Sequence, residues 1–322
     1  MKYLILSHHF RALVPVCAAM LWLGGCGIGQ QVRSETVHAV GPPGQVAPDE
    51  QAAIVRGGVE PAQLTCSGAN RWSTTLRGDA RFSADQIMDE LARLGVTVPT
   101  EQAKEARKRV IDVVFWRLIL TQILEGRLDN LGATVLPGIK LADGRPLLVF
   151  RTGFTADPEQ TGSCVQSLLG AGVRHIVNLY AGPMPTQVLE EGERRAVTAL
   201  GGSYFSARSD PQAGNWREDL RESDGPEAGR AAQQAVAELI RNHILKPGGG
   251  QPRGHVQVHC GGGMHRTGMI IGVLERCLGG VPMTSVADHY RRHVGWRSSA
   301  QLGGFEPENL HFIEGFDCSL LQ

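Results

Sequence analysis

The residues with the clearest chemical potential in this sequence lie in one short segment, His259-Cys-Gly-Gly-Gly-Met-His-Arg-Thr267. The run before it, His255-Val-Gln-Val-His259, alternates apolar and polar residues and predicts a strand. The apolar run from Met269 to Leu278 predicts a helix directly after it. Ligands of open α/β sheets bind beyond the carboxyl ends of strands, where helix N-termini point at them. We therefore expect residues 260–266, named here the cysteine loop, to bind an anion.

The residue types of this loop indicate what it would do with a bound phosphate. The glycines from Gly261 to Gly263 allow a tight turn in which successive N–H groups face one point, and such a nest at a helix N-terminus attracts anions. The same positive potential stabilises the thiolate of Cys260, which is the nucleophilic form. The planar guanidinium of Arg266 matches two phosphate oxygens and stabilises charge in the transition state. Together they predict attack of sulfur on phosphorus and a phosphocysteine intermediate.

Residues around the nucleophile are assigned supporting roles. Thr267 is expected to donate its hydroxyl to the sulfur when the thiolate leaves, and His259 to buttress the loop through hydrogen bonds. The side chain of His265 either contacts substrate or faces solvent, and Arg151 is either a second phosphate contact or part of a surface ion pair. The residues predicted to bind the phosphate group are Gly261, Gly262, Gly263, Met264, His265, Arg266 and Gly268.

The segment resembles the active-site motif of the protein tyrosine and dual-specificity phosphatase superfamily, His-Cys-x5-Arg-Ser/Thr. The match includes His259, Cys260, Gly263, Arg266 and Thr267, and Gly268 extends it to the dual-specificity pattern. At the level of fold the resemblance reaches from about Arg151 to about Leu310. It implies a cysteine phosphatase of the bacterial atypical kind, which hydrolyses a phosphomonoester in two steps.

The resemblance also implies an aspartic acid before Cys260 that protonates the leaving oxygen. Asp224, in Ser-Asp-Gly-Pro, stands just before a predicted helix, whereas Asp210, in Ser-Asp-Pro, directly follows a predicted strand. Asp219 is a third choice, and each of the three is also an ordinary turn or cap residue. The sequence leaves the general acid open among them.

The order of the apolar segments predicts an α/β fold with a central, mostly parallel sheet of four or five strands flanked by helices. Predicted strands at 174–179, 203–207 and 255–259 alternate with helix-like segments, which is typical of βαβ units. Before them, Asp143-Gly144 predicts a hairpin, and helices are expected within 83–95 and 101–128. We assign 72–145 to a helical N-terminal extension with this hairpin, and 146–322 to the catalytic domain.

The N-terminus is typical of an exported bacterial lipoprotein. Lys2 and Arg11 precede a short apolar run that ends in Leu23-Gly-Gly-Cys26. A charged start, a short apolar stretch and small residues before a cleavage point describe a signal peptide, assigned to 1–25. Cys26 then resembles the acylated cysteine of a lipobox, and 26–71 is interpreted as a lipid-anchored polar linker. The expected location is the outer membrane, facing the periplasm or the cell surface; an ordinary signal peptide is the alternative.

Charge and cysteine usage limit the partners. Lys plus Arg and Asp plus Glu number 32 each, so no net field recruits nucleic acid. The expected partners are a phosphorylated substrate, either a phosphoprotein or a small phosphoester such as an inositol phosphate, and a membrane through the lipid anchor. No metal or other cofactor is expected, because the loop and Arg266 supply the positive charge. Of the seven cysteines, Cys260 must stay free, and at most two disulfides are expected among the others.

Two other functions remain open at this point. A phosphate-binding pseudophosphatase would keep the cysteine loop but lack a working general acid. A thiol redox or sulfur-transfer protein would use Cys260 as a reactive thiol, although no Cys-x-x-Cys pair is present and Arg266 would have no task.

Overall fold

The computed structural model of the protein describes residues 45–68, 129–154, 164–181, 187–210, 216, 225–294 and 306–322. The five strands are β1 (Gly132–Lys140), β2 (Pro146–Thr152), β3 (Val173–Asn178), β4 (Ser203–Ser206) and β5 (His255–His259). The α-helices are α1 (Pro48–Arg56), α2 (Cys164–Gly170), α3 (Gln187–Thr198), α4 (Gly225–Leu239), α5 (His265–Cys277), α6 (Met283–Val294) and α7 (Glu306–Gly315). A π-helical segment, Ile240–Leu245, continues α4.

The strands form one sheet in the order β1-β2-β5-β3-β4. Strands β2, β5, β3 and β4 run parallel, and β1 pairs antiparallel with β2 at one edge. This confirms the predicted α/β fold with a mostly parallel sheet of five strands. The hairpin predicted at Asp143-Gly144 is confirmed too, with Gly144 at a φ of 84° in the turn. The parallel arrangement brings the carboxyl ends of β2, β5, β3 and β4 to a common edge.

Helices cover both faces of the sheet, and each face carries its own apolar core. Alternate residues of β2 show the division, since Leu147 and Val149 belong to one core and Leu148 and Phe150 to the other. The first core packs against α4 to α7, and the second against α1 and α2. Strand β5 sends its valines into the first core, while its polar residues on the other face are also buried.

The described residues differ from the predicted domain division at two places. The polar linker assigned to 26–71 contains α1, which packs on β1 through the buried side chains of Ala53 and Ile54. Helix α1 forms because Pro48 stands in its first turn with two acidic residues after it, an arrangement that favours a helix start. The boundary at 145/146 divides a hairpin whose two strands share one sheet, and all described residues belong to one compact unit. The helices predicted within 72–128 lie outside the described residues.

Two disulfides, Cys66–Cys164 and Cys277–Cys318, join distant parts of the chain. The first attaches the segment after α1 to the start of α2, and the second attaches the end of α5 to the C-terminal turn. Their number agrees with the expected limit of two. Within the described ranges, no helix combines the length and apolar character needed to cross a membrane.

Charged contacts fix α1 against α6. Asp49 accepts hydrogen bonds from Arg292 at 2.9 Å and lies 2.8 Å from Nε2 of His289. The other ring nitrogen of His289 lies 3.0 Å from Glu275 on α5. Burial lowers the pKa of His289, but the hydrogen bonds to Asp49 and Glu275 outweigh it and raise that pKa to about 10. The imidazolium therefore links three helices at neutral pH.

This link predicts a pH-dependent stability. The pKa of His289 is raised from its ordinary value of 6.5 to about 10 in the folded protein. The stability that protonated His289 adds to the fold is therefore fully present below pH 6.5 and is lost as the pH rises towards about 10. We expect the free energy of unfolding to exceed that of the His289→Gln variant most at pH ~6, and the difference to shrink by pH ~10. Urea denaturation at several pH values measures it. His311→Gln, at an exposed histidine of α7, is the matched control; a difference constant with pH would contradict the prediction.

Candidate active site

The cysteine loop joins β5 to α5 at the common carboxyl edge of the parallel strands. Cys260 follows the last residue of β5, and the backbone N–H of Leu179, just beyond β3, donates to the carbonyl of His259 at 2.7 Å. The side chain of Cys260 is 4% exposed and its thiol is free. Thr152 at the end of β2 and Asn178 at the end of β3 are both register partners of His259, so the three strands end level and Cys260 follows directly at their carboxyl edge.

Three consecutive carbonyls of the loop are hydrogen-bonded by groups on the β1–β2 side. The N–H of Phe154 donates to the carbonyl of Gly261 at 3.1 Å. The amide of Asn130 donates to Gly262 at 2.9 Å and to Gly263 at 3.2 Å. A peptide N–H points away from its carbonyl, so fixing these carbonyls outward leaves the loop N–H groups directed inward. This is the geometry of an anion-binding nest.

Gly263 makes the tightest point of this turn. Its φ of 67° lies in the left-handed region, which costs little only for glycine. A Cβ atom at this position would also collide with the backbone of Thr152 at the end of β2. A larger residue would therefore move the loop off the strand that holds it.

The buried cation Arg151 lies directly against this turn. Its Nη2 donates to the carbonyl of Gly263 at 2.8 Å, and the side chain is 1% exposed. Burial lowers the pKa of Arg151, while the charges of Glu50, Glu275 and Cys260 oppose that shift. The surface ion pair considered for Arg151 is therefore wrong. Its guanidinium is a fixed positive charge behind the loop and a donor to its backbone.

His259, the last residue of β5, is buried and contacts a carboxylate on α3, the helix between β3 and β4. Its Nε2 lies 3.1 Å from a carboxylate oxygen of Glu193 on α3, close enough for an ion pair but poorly directed for a hydrogen bond. The same carboxylate accepts from the hydroxyl of Tyr204, to which Asn178 donates in turn. The ring also packs edge-on against Phe154. These contacts hold the ring of His259 in place, and its buttressing of the loop stays a prediction.

The two residues after the loop's turn differ in exposure. Arg266 is half-buried, and its Nη1 donates to the carbonyl of Leu179 at 3.3 Å. That bond orients the guanidinium along the carboxyl edge of β3. Thr267 is fully buried, and its hydroxyl has no hydrogen-bond partner among the described residues. A buried hydroxyl without a partner is unfavourable, and a thiolate acceptor would satisfy it; this role of Thr267 stays a prediction.

Three other predicted phosphate ligands, Met264, His265 and Gly268, have a side chain or an N–H group that already contacts another part of the protein. The side chain of Met264 is buried in an apolar core. The ring of His265 is 4% exposed, with Nδ1 at 3.2 Å from the hydroxyl of Tyr290, so the solvent-facing alternative is wrong. The N–H of Gly268 donates to the carbonyl of Met264 at 2.7 Å and is thereby occupied within α5. A phosphate in the loop would therefore meet the backbone, and not the side chains, of Met264 and His265.

The candidates for the general acid are only partly described. Asp210 follows β4 at the same carboxyl edge, two strands away from β5, and interacts electrostatically with His243. Asp224 and Asp219 lie outside the described residues, as does the proposed lipid-attachment residue Cys26. The choice of general acid therefore stays as open as the sequence left it.

Asn130 was not predicted from the sequence, although it donates to two loop carbonyls. It lies 132 positions before Gly262, and no motif or periodic pattern includes it. One local signal was available, because Asn tolerates the left-handed backbone, and Asn130 has a φ of 46°. That signal indicates a turn and not a site.

Comparison with known proteins finds similarity among solved structures. No protein-family model and no curated protein matches the chain. Among solved structures, the chain is similar to the core catalytic domain of the PP-IP phosphatase SIW14 from S. cerevisiae, determined in complex with citrate. The sequence identity is 19% and the TM-score is 0.33, and the similarity covers 52% of this chain and 80% of that chain.

Proposed function

We propose that the protein is a cysteine-dependent phosphatase that hydrolyses phosphomonoesters through a phosphocysteine intermediate. The observation that carries the proposal is the arrangement around Cys260. A free thiol lies at the base of a loop whose carbonyls are held outward, and Arg266 stands at the loop's far end. Such a site binds a tetrahedral oxyanion and places a nucleophile on it.

The proposed reaction has two displacements at phosphorus. In the first, the Cys260 thiolate forms a sulfur–phosphorus bond while the ester oxygen leaves and takes a proton from an aspartic acid. In the second, the same aspartate removes a proton from water, the water oxygen attacks phosphorus, and the sulfur–phosphorus bond breaks to return the thiolate. Arg266 and the loop N–H groups stabilise the charge on the equatorial oxygens in both steps. Thr267 donates to the departing thiolate.

The two other functions relate differently to this geometry. A redox or sulfur-transfer protein of the dithiol type needs a second thiol near Cys260, and in the part of the chain that is described the other cysteines are paired. A pseudophosphatase shares the cysteine loop and differs only in the general acid, so it is separated by turnover and not by binding.

We also propose that the chain is exported and anchored by acyl groups on Cys26, facing the periplasm or the cell surface. Two disulfides support this location, since structural disulfides persist in oxidising compartments. The substrate would then be an extracytoplasmic phosphoprotein or a small phosphoester such as an inositol phosphate.

The nucleophile is tested by Cys260→Ser. We expect the purified chain to hydrolyse para-nitrophenyl phosphate in the presence of EDTA, and the variant to lose at least ~10³-fold in kcat, because a serine hydroxyl at this site has no general base to activate it. The variant should still bind tungstate, an oxyanion that the loop N–H groups and Arg266 can hold. Turnover unchanged by the substitution would refute the proposed nucleophile, and tungstate binding without any turnover by the wild type would favour the pseudophosphatase.

The general acid is tested by comparing Asp224→Asn, Asp210→Asn and Asp219→Asn. Removing the true acid should lower kcat by about 10²- to 10⁴-fold for an alkyl phosphate, whose leaving oxygen needs a proton. The loss should be smaller for para-nitrophenyl phosphate, because its leaving group departs as a stable anion. The two variants at non-catalytic positions serve as controls within the series. An equal loss for both substrates in every variant would show that none of the three aspartates is the acid.

A further inference from the structure

The amide of Asn130 has a fixed orientation. Its Nδ2 lies within hydrogen-bond distance of three carbonyl oxygens, those of Gly262, Gly263 and His293. A carbonyl accepts and cannot donate, so the nitrogen, and not the oxygen, must face these groups. The amide oxygen of Asn130 is therefore turned to the ring of His293, whose Nδ1 lies at 2.9 Å.

That contact fixes the protonation of one ring nitrogen of His293. Because Oδ1 of Asn130 is an acceptor, Nδ1 of His293 must carry a hydrogen and donate it. The opposite nitrogen, Nε2, lies 2.7 Å from Oε1 of Glu50. At this distance one proton is held between Nε2 and the carboxylate, whichever of the two atoms carries it. Glu50 thus holds the ring in the plane in which Nδ1–H points at Asn130.

The connection is enclosed, and its geometry is specific. Glu50, Asn130 and His293 are all at most 5% exposed. Glu50 comes from α1, Asn130 precedes β1, and His293 lies near the end of α6. A Cβ atom at Gly132 of β1 would overlap both the Glu50 carboxylate and the His293 ring. The glycine at that position leaves the space in which the two side chains meet.

We propose that Glu50 and His293 are positioning residues for the cysteine loop, acting through the amide of Asn130. This inference rests on the phosphatase function proposed above, and it goes beyond that function by assigning a role to the N-terminal helix. Without Glu50, the ring of His293 has no partner at Nε2 and is free to turn in the space that the carboxylate leaves, so Nδ1 no longer holds Oδ1 of Asn130. The amide turns, the carbonyls of Gly262 and Gly263 lose their donor, and the inward N–H groups lose their alignment.

The test uses a matched set of variants in the full chain. Glu50→Ala removes the proton partner of His293. Glu50→Gln is the conservative variant, because its amide N–H donates to Nε2 and keeps the hydrogen on Nδ1. Asp49→Asn is the control, since it removes a carboxylate from the same turn of α1 that contacts Arg292 and His289 but not His293. Asn130→Asp keeps the side-chain shape and the tolerance of positive φ but removes both N–H donors.

Three measurements are made on each variant: kcat and KM for para-nitrophenyl phosphate, the Kd for tungstate, and the ¹⁵N chemical shifts of the His293 ring. We expect Glu50→Ala and Asn130→Asp to lower kcat and weaken tungstate binding by about 10- to 100-fold, as outer-shell partners typically do. Glu50→Gln and Asp49→Asn should stay within about threefold of wild type. The ring shifts should report hydrogen on Nδ1 in wild type and Glu50→Gln, and an exchanging mixture of the two ring forms in Glu50→Ala.

The outcomes separate this inference from the proposed function. If Glu50→Ala keeps the kcat and the tungstate affinity of the wild type, the positioning role is overturned, whether or not the variant is less stable to heat. So would a loss in Asp49→Asn equal to that in Glu50→Ala, because that would reflect docking of α1 alone. If the wild type binds tungstate but hydrolyses nothing, the phosphatase function fails, while the tungstate affinities and ring shifts still decide the positioning role. If Glu50→Ala does not fold, the same measurements are compared between Asn130→Asp and Glu50→Gln, and they decide the positioning role in its place.

Discussion

The structure depends on one constraint, which is that the carbonyls of the cysteine loop must be bonded away from the point where an anion would bind. Three consecutive peptide groups cannot direct their N–H groups inward unless their oxygens are satisfied outside. Phe154, Asn130 and Arg151 supply those donors from the segment around the β1–β2 hairpin. The hairpin is thus part of the site's support, although it contributes no residue to the expected chemistry.

Buried charge is the consequence of this arrangement. Arg151 is fully enclosed beneath Gly263, and the carboxylates of Glu50 and Glu275 are enclosed nearby. Burial also raises the pKa of Glu275, although His289 and Arg151 oppose that shift. Isolated buried charges are costly, so groups of this kind persist where each is balanced by others and by backbone contacts. A positive charge behind the nest adds to the potential that favours a thiolate and an oxyanion in front of it.

The N-terminal segment is part of the folded unit from residue 45 onwards. Its composition is that of a tether, yet residues 45–68 pack on β1, are bound by a disulfide to α2, and place two carboxylates against α6. Helix α1, the first described helix, reaches the back of the site through Glu50.

The sequence by itself determined the strand–loop–helix around Cys260, because that signal is local: an alternating strand, a glycine-rich turn and an apolar helix follow one another without interruption. It also determined the parallel sheet and the hairpin, since the periodicity of each element is present in consecutive residues.

Only the tertiary structure decided what supports the loop. Asn130, Arg151, Glu50 and His293 come from four separate elements, and polar residues that meet in a buried network leave no periodic pattern. For the same reason the sequence left open whether His265 and Arg151 face solvent, and the structure encloses both. Burial is a property of the assembled layers and not of the residue type.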